Sequence, residues 1–98
     1  METRLNFSAA HPALGGHFPG NPIVPGVLLL DAVAGALAKA RPGTEVIGLP
    51  TVKFLSPLYP GEDCLLQLEA ASGGRWRFTM RVGERRIATG TLLAEARV

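Results

Sequence analysis

The hydrophobic and polar positions follow two different periods along the chain, and these separate one helix from a set of strands. From Gly26 to Lys39 the residues are apolar or glycine apart from Asp31 and the terminal lysine, and strong helix formers dominate. Pro25 suits the first turn of a helix, and the pair Pro42-Gly43 suits its end. The pattern predicts one helix that is hydrophobic on all sides and therefore buried, with Gly35 against a strand or a second copy of the helix.

The rest of the chain alternates between apolar and polar residues, which is typical of strands. Pro50 interrupts one of these stretches and indicates an edge strand or a bulge there. One helix followed by antiparallel strands is an α+β pattern in which the sheet wraps the helix, and 98 residues suffice for a single domain, 1–98. The predicted strands cover residues 3–8, 45–55, 63–71, 75–82 and 85–96, with turns at 72–74 and 83–84.

A proline-rich loop precedes the helix and carries candidate chemistry. Three prolines and two glycines lie between His17 and Val27, so the backbone has few allowed conformations. His17 stands at the head of this loop, and the following Phe18 is expected to help hold its ring in one orientation. An ionised Asp31 in a buried helix would cost several kcal/mol unless it is paired or protonated. A held imidazole and a buried carboxyl are the parts of a general base and a general acid.

Each of the two residues also has a simpler interpretation. An aspartate one turn into a helix can favour the positive end of the helix dipole. A histidine after two glycines in a proline-rich loop is more often an ordinary loop residue. Neither residue decides between these alternatives on its own.

Their combined context resembles the active-site stretch of the bacterial β-hydroxyacyl-acyl-carrier-protein dehydratases. The two motifs are His-Phe-Pro-Gly at residues 17–20 and Pro-Gly-Val-Leu-Leu-Leu-Asp-Ala at residues 25–32. The resemblance continues through the segment 53–63 and covers roughly residues 3–95. It implies a single hotdog fold, in which an antiparallel β-sheet wraps around one long central helix.

The resemblance also implies an activity, the loss of water from β-hydroxyacyl thioesters on acyl-carrier protein to give trans-2-enoyl thioesters. This reaction serves fatty acid or related lipid, polyketide or pigment synthesis and needs no cofactor. His17 would be the base and Asp31 the acid, and in the family these two come from different subunits of a dimer. Backbone N–H groups of Gly26 and Val27 would hold the thioester oxygen. The acyl tunnel would be lined by Phe18, Leu28 and Phe54.

Charge and cysteine usage narrow the possible partners. A net charge of +2 does not imply nucleic-acid binding, and the single cysteine, Cys64, excludes an internal disulfide and a multi-cysteine zinc site. No apolar run reaches the ~18 residues needed to span a bilayer, and no secretory signal is present, so a cytoplasmic location is expected. Five arginines lie within twelve positions and suggest docking of the acidic carrier protein or, equally, a solvated sheet face: Arg75, Arg77, Arg81, Arg85 and Arg86.

Two rival functions stay open at this point. A thioesterase shares the fold and the substrate class but directs water at the carbonyl carbon, and the His-Phe-Pro-Gly stretch argues against it. A non-catalytic subunit that binds acyl chains or partners a larger dehydratase is the other rival. Only sixteen residues precede His17, fewer than is usual in the family, so we expect part of the usual substrate rim to be missing or to be supplied by a partner.

Overall fold

The computed structural model describes residues 1–8 and 23–96 and packs one helix against one antiparallel sheet. The sheet has five strands in the order β1-β3-β4-β5-β2. The predicted α+β architecture is confirmed, and the main difference is that β1 ends at Leu5 rather than at Ser8. The elements are β1 Glu2–Leu5, α1 Gly26–Ala40, β2 Thr44–Phe54, β3 Cys64–Ala70, β4 Arg75–Val82 and β5 Arg85–Ala96.

The core lies between the inner face of the sheet and one face of α1. Alternate residues of β3 and β4 point inward, as the period of two in their sequences requires. Strand β5 buries the neighbours Ile87 and Ala88, because its pairing with β4 shifts register there. The helix contributes Leu29, Val33 and Leu37, which are spaced four residues apart and so share one face. The sheet contributes Cys64, Leu66, Leu68, Phe78, Met80, Ile87, Ala88, Leu92 and Ala94.

The opposite face of α1 is uncovered, so the prediction of a helix buried on all sides is wrong for the single chain. Val27 is 66% exposed, and Asp31 and Gly35 are exposed as well. Apart from the adjoining residues and the backbone of the helix itself, no heavy atom of the described residues lies within 4 Å of the position that a Cβ on Gly35 would take. One sheet offers one packing surface, and the described part of the chain places no second layer against the other side of α1. We call Val27, Asp31 and Gly35 the outer helix face.

Strand β2 forms one edge of the sheet, which confirms the interpretation of Pro50. Among the described strands it pairs with β5 alone, and its register shifts between Val46 and Gly48 and again between Gly48 and Thr51. A proline lacks the N–H that a central strand would use, so an irregular edge is where it is tolerated. The edge also carries apolar side chains, because Ile47 is 48% exposed and Leu49 is 44% exposed.

Candidate functional site

An apolar cavity of about 430 Å³ opens beside the start of α1. This volume lies in the range of small-molecule sites, about 300–1,000 Å³. Val24 N–H donates to the Leu58 carbonyl at 2.8 Å, which ties the segment before the helix to the connection between β2 and β3. The lining residues come from these two segments and are Ile23, Val24, Gly26, Leu29, Phe54, Leu55, Ser56, Pro57 and Leu58.

The start of the helix meets this cavity without a side-chain cap. Pro25 is the N-cap residue and makes no capping hydrogen bond, and the first turn has no acidic residue. The Pro25 carbonyl accepts the N–H of Leu28 at 3.0 Å. The N–H groups of Gly26 and Val27 stand ahead of this bond, where a helix has no internal acceptor for them. Such a helix terminus favours binding of a negatively charged oxygen. Because Gly26 lines the cavity, this terminus lies at the cavity wall.

Asp31 lies away from this cavity, on the outer helix face one turn beyond Val27. Its side chain is exposed, so the expectation of a buried carboxylate is wrong for the single chain. Water around the carboxylate removes the desolvation penalty on which that expectation rested. The predicted base, His17, and the predicted tunnel residue Phe18 lie outside the described residues.

The predicted tunnel residues that the structure describes occupy different places. Phe54 lines the cavity, whereas Leu28 is partly buried against the hydrophobic core and is not part of the lining. Sequence reasoning missed Ile23 and Val24 before the helix and the whole segment 55–58 after Phe54. The available signal was the run of apolar residues and proline that begins at the end of the predicted strand 45–55.

The five arginines fall into two groups rather than one. Arg75 and Arg77 lie exposed near the start of β4, whereas Arg85 and Arg86 lie exposed at the start of β5, after the turn. At about 3.3 Å per residue, roughly 20 Å of strand separates Arg75 from the half-buried Arg81, which pairs with Arg86. The alternation that favoured a solvated face is confirmed, since the intervening β4 residues Trp76, Phe78, Met80 and Val82 are buried or partly buried in the core.

Arg85 is held beside the cavity by the connection that lines it. Its guanidinium lies 2.6 Å from the Glu62 carboxylate and 5.9 Å from the centre of the Tyr59 ring. It also donates to the Pro57 carbonyl at 3.4 Å. The pKa of Glu62 is lowered, first by the Tyr59 N–H that its carboxylate accepts at 2.9 Å and then by Arg85. These contacts fix the start of β5 against the residues around Pro57.

Cys64 and the other residues that could bind metal give no sign of a second site. Cys64 is fully buried on β3, and burial raises the pKa of its thiol, which confirms that it packs as a small apolar residue. Among residues 1–8 and 23–96, no three histidine, cysteine, aspartate or glutamate side chains are grouped so that they could hold a metal ion. Over the same residues, no helix is long and apolar enough to cross a membrane.

Comparison with known proteins finds dehydratases. The family model of the ApeI-like proteins, described as ApeI dehydratase, matches residues 1–91. The 3-hydroxyacyl-[acyl-carrier-protein] dehydratase FabZ of Hydrogenobaculum sp. is 34% identical over 94% of this chain and 72% of its own length. The enzyme of the same name from Myxococcus xanthus is 33% identical over 91% of this chain and 67% of its own length.

Solved structures agree with the sequence relatives. The dehydratase heterocomplex ApeI:P from Xenorhabdus doucetiae contains a chain that superposes with a TM-score of 0.82 at 26% identity, over 95% of this chain and 84% of the other. The fluoroacetyl-CoA-specific thioesterase FlK superposes with a TM-score of 0.66 at 17% identity, over 98% of this chain and 88% of its own, which shows a shared fold alone. The fold is therefore the hotdog fold, and the chain belongs to the ApeI-like dehydratase family.

Proposed function

We propose that this chain removes water from 3-hydroxyacyl thioesters carried on acyl-carrier protein and forms trans-2-enoyl thioesters. The observation that carries the proposal is the apolar cavity that ends at an uncapped helix start, next to Gly26. Such a site suits a substrate with an apolar chain and a carbonyl oxygen that gains negative charge. Relatives whose names specify this reaction support the same assignment.

The proposed chemistry uses three groups of this chain and no cofactor. The His17 imidazole takes a proton from C2, and the electron pair of that C–H bond forms the double bond between C2 and C3. The bond from C3 to the hydroxyl oxygen breaks, and Asp31 donates a proton so that water leaves. Charge that grows on the thioester oxygen is stabilised by the N–H groups of Gly26 and Val27.

The active site is completed by a second copy of the chain in this proposal. Asp31 points away from the cavity of its own chain, so it reaches a substrate only where another subunit covers the outer helix face. The unpaired edge of β2, with Ile47 and Leu49 exposed, supplies further apolar surface for such a contact. The heterocomplex of the Xenorhabdus neighbour favours one alternative, in which the partner is a different chain.

The acidic carrier protein is proposed to dock at the Arg85 and Arg86 end of the arginine set. These residues begin β5, and Arg85 contacts Glu62 and Pro57 in the connection that lines the cavity. Arg75 and Arg77 lie roughly 13 to 20 Å along the sheet from there, which is far for a contact that must also deliver a thioester. A cytoplasmic location and a role in fatty acid or related synthesis stay predictions.

The test offers the purified chain a trans-2-enoyl thioester and follows both possible products. A dehydratase run in reverse adds water and leaves the thioester whole, so mass spectrometry is expected to show the 3-hydroxyacyl thioester. In the forward direction, with a 3-hydroxyacyl thioester as the substrate, the rate of dehydration is expected to fall at low pH as His17 is protonated and ceases to act as a base. A thiol-trapping reagent detects any free thiol. If free thiol is released and no hydrated product forms, the chain is a thioesterase and not a dehydratase.

A further inference from the structure

The ring of Phe54 stands directly in front of the first residue of α1. A Cβ placed on Gly26 would lie 2.8 Å from Cζ of this ring, 3.1 Å from Cε1 and 3.3 Å from Cε2. These three atoms form the tip of the ring, so Phe54 points end-on at the helix start. Only a glycine at residue 26 leaves room for the ring in this position.

The backbone of Phe54 is fixed, but its side chain is not enclosed. Phe54 is paired with Ala88 as the last residue of β2, and the next N–H, that of Leu55, donates to the Ile87 carbonyl at 2.9 Å. The Phe54 side chain is nevertheless 55% exposed. A turn of the ring away from Gly26 therefore breaks few packing contacts and leaves the strand in place.

Three other walls of the cavity have no such freedom. Val24 is 4% exposed, Leu29 is 3% exposed and Leu58 is 1% exposed, and all three belong to the hydrophobic core. Moving any of them would open a gap in a close-packed interior. The size of the cavity is thus adjustable mainly at Phe54 and at Leu55, which is 50% exposed.

We propose that Phe54 is the residue that determines which acyl chains this site accepts, and this inference rests on the proposed function. With its tip against Gly26, the ring closes the cavity beside the N–H groups that would hold the thioester oxygen. A longer acyl chain then requires the ring to turn outward. A smaller side chain at residue 54 removes the barrier, and a larger one strengthens it.

The experiment compares kcat/KM for 3-hydroxybutanoyl and 3-hydroxydecanoyl thioesters in the full chain and its variants. Phe54→Ala is expected to raise the ratio of long-chain to short-chain kcat/KM by about tenfold, the scale on which apolar pockets discriminate. Phe54→Trp is expected to lower the same ratio. Lys53→Ala is the control, because it shortens the exposed residue next to Phe54 on β2, which does not line the cavity, and it is expected to leave the ratio unchanged.

An unchanged ratio in Phe54→Ala, or an equal change in Lys53→Ala, would overturn the role of Phe54 and leave the proposed dehydration intact. Phe54→Leu gives the same comparison if the alanine variant does not fold. If the wild-type chain turns over neither substrate, the proposed function fails. Calorimetric binding of non-hydrolysable butanoyl and decanoyl thioester analogues then tests the role of Phe54 separately. The ratio of decanoyl to butanoyl affinity is expected to rise in Phe54→Ala and to fall in Phe54→Trp, and an unchanged ratio in Phe54→Ala would overturn the role of Phe54.

Discussion

The ring of Phe78 on β4 occupies the space that a side chain at Gly90 on β5 would need. A Cβ at residue 90 would lie 2.6 Å from Cε1 and 2.8 Å from Cζ of Phe78, and it would also strike the backbone oxygen of Thr51. Phe78 is 2% exposed, and the Thr51 oxygen belongs to the paired strand β2. Neither group is free to move away, so the sheet requires glycine at this position.

Gly90→Ala is therefore expected to lower the free energy of unfolding by about 1–3 kcal/mol, the usual effect of overpacking a core. Chemical denaturation measures the change. Gly48→Ala is the matched control, because a Cβ there would meet its nearest atom, Cβ of Leu93, at an ordinary 3.6 Å. The control is expected to be neutral or slightly stabilising. Equal losses in the two variants would show that the close contact at Gly90 is not the cause.

Asp31→Asn and His17→Ala are each expected to reduce dehydration about 100-fold or more, as loss of a general acid or base does. For Asp31 the fold should be unaffected, because its side chain is exposed and surface changes stay within about 0.5 kcal/mol. Turnover assays and thermal unfolding measure the two effects separately. Lys39→Ala removes an exposed charge from the same helix and is the control, so it should keep both normal turnover and normal thermal stability. Near-normal turnover in Asp31→Asn would remove Asp31 from the mechanism.

Gly35→Arg is expected to convert a dimer at micromolar concentration into a monomer and to abolish turnover. In the single chain the substitution meets open space, so the chain itself should fold. Gly35→Ala is the control, because it adds one methyl group to the outer helix face and replaces a poor helix former with a good one. Sedimentation velocity measures the oligomeric state. A Gly35→Arg protein that stays dimeric would place the subunit contact elsewhere, and a fully active monomer would contradict the shared site.

Arg86→Glu is expected to raise KM for a carrier-bound substrate several-fold more than KM for a small thioester mimic. Added salt should weaken the wild-type reaction with the carrier in the same selective way, because the contact is electrostatic. The control is the double variant Arg75→Glu/Arg77→Glu, because both residues lie at the other end of β4 from Arg86. Initial rates with both substrates measure the difference. Equal effects of Arg86→Glu on the two substrates would favour a solvated face without carrier docking.

Glu62 is expected to stabilise the fold at neutral pH and to lose this effect in acid. The pKa of its carboxyl in the folded chain is lowered from 4.5 by the Tyr59 N–H and by Arg85. A lowered folded-state pKa means that the stabilisation is complete above the unfolded-state value and disappears as the pH falls through the folded-state value. The wild-type chain should therefore exceed Glu62→Gln in stability at neutral pH, and this difference should shrink in acid.

Urea denaturation of both proteins across this pH range measures that difference. Glu84→Gln, a neutralised carboxylate in the exposed turn before β5, is the control and should show no comparable trend. A stability difference between wild type and Glu62→Gln that does not depend on pH would show that the ionised carboxylate is not what stabilises this contact.

The sequence by itself determined the local structure, because hydrophobic period, prolines and glycines act over a few residues. Alternation over 75–82 predicts the inward Phe78 and Met80, and Pro50 predicts the irregular edge strand that β2 forms. The bounds of α1 follow from Pro25 and from Pro42-Gly43. The family is likewise evident from two short motifs, because chemistry at a reacting centre requires particular side chains in a particular order.

Only the tertiary structure decided which surfaces are covered. The composition of α1 predicts burial on all sides, yet one sheet covers one face, so Asp31 and Gly35 remain exposed in the single chain. The arginines that are close in sequence separate along β4 and β5 because extended strands carry the residues apart. Phe54 at the end of β2 contacts Gly26 at the start of α1. These residues are far apart in the sequence, so no local sequence pattern could predict the contact.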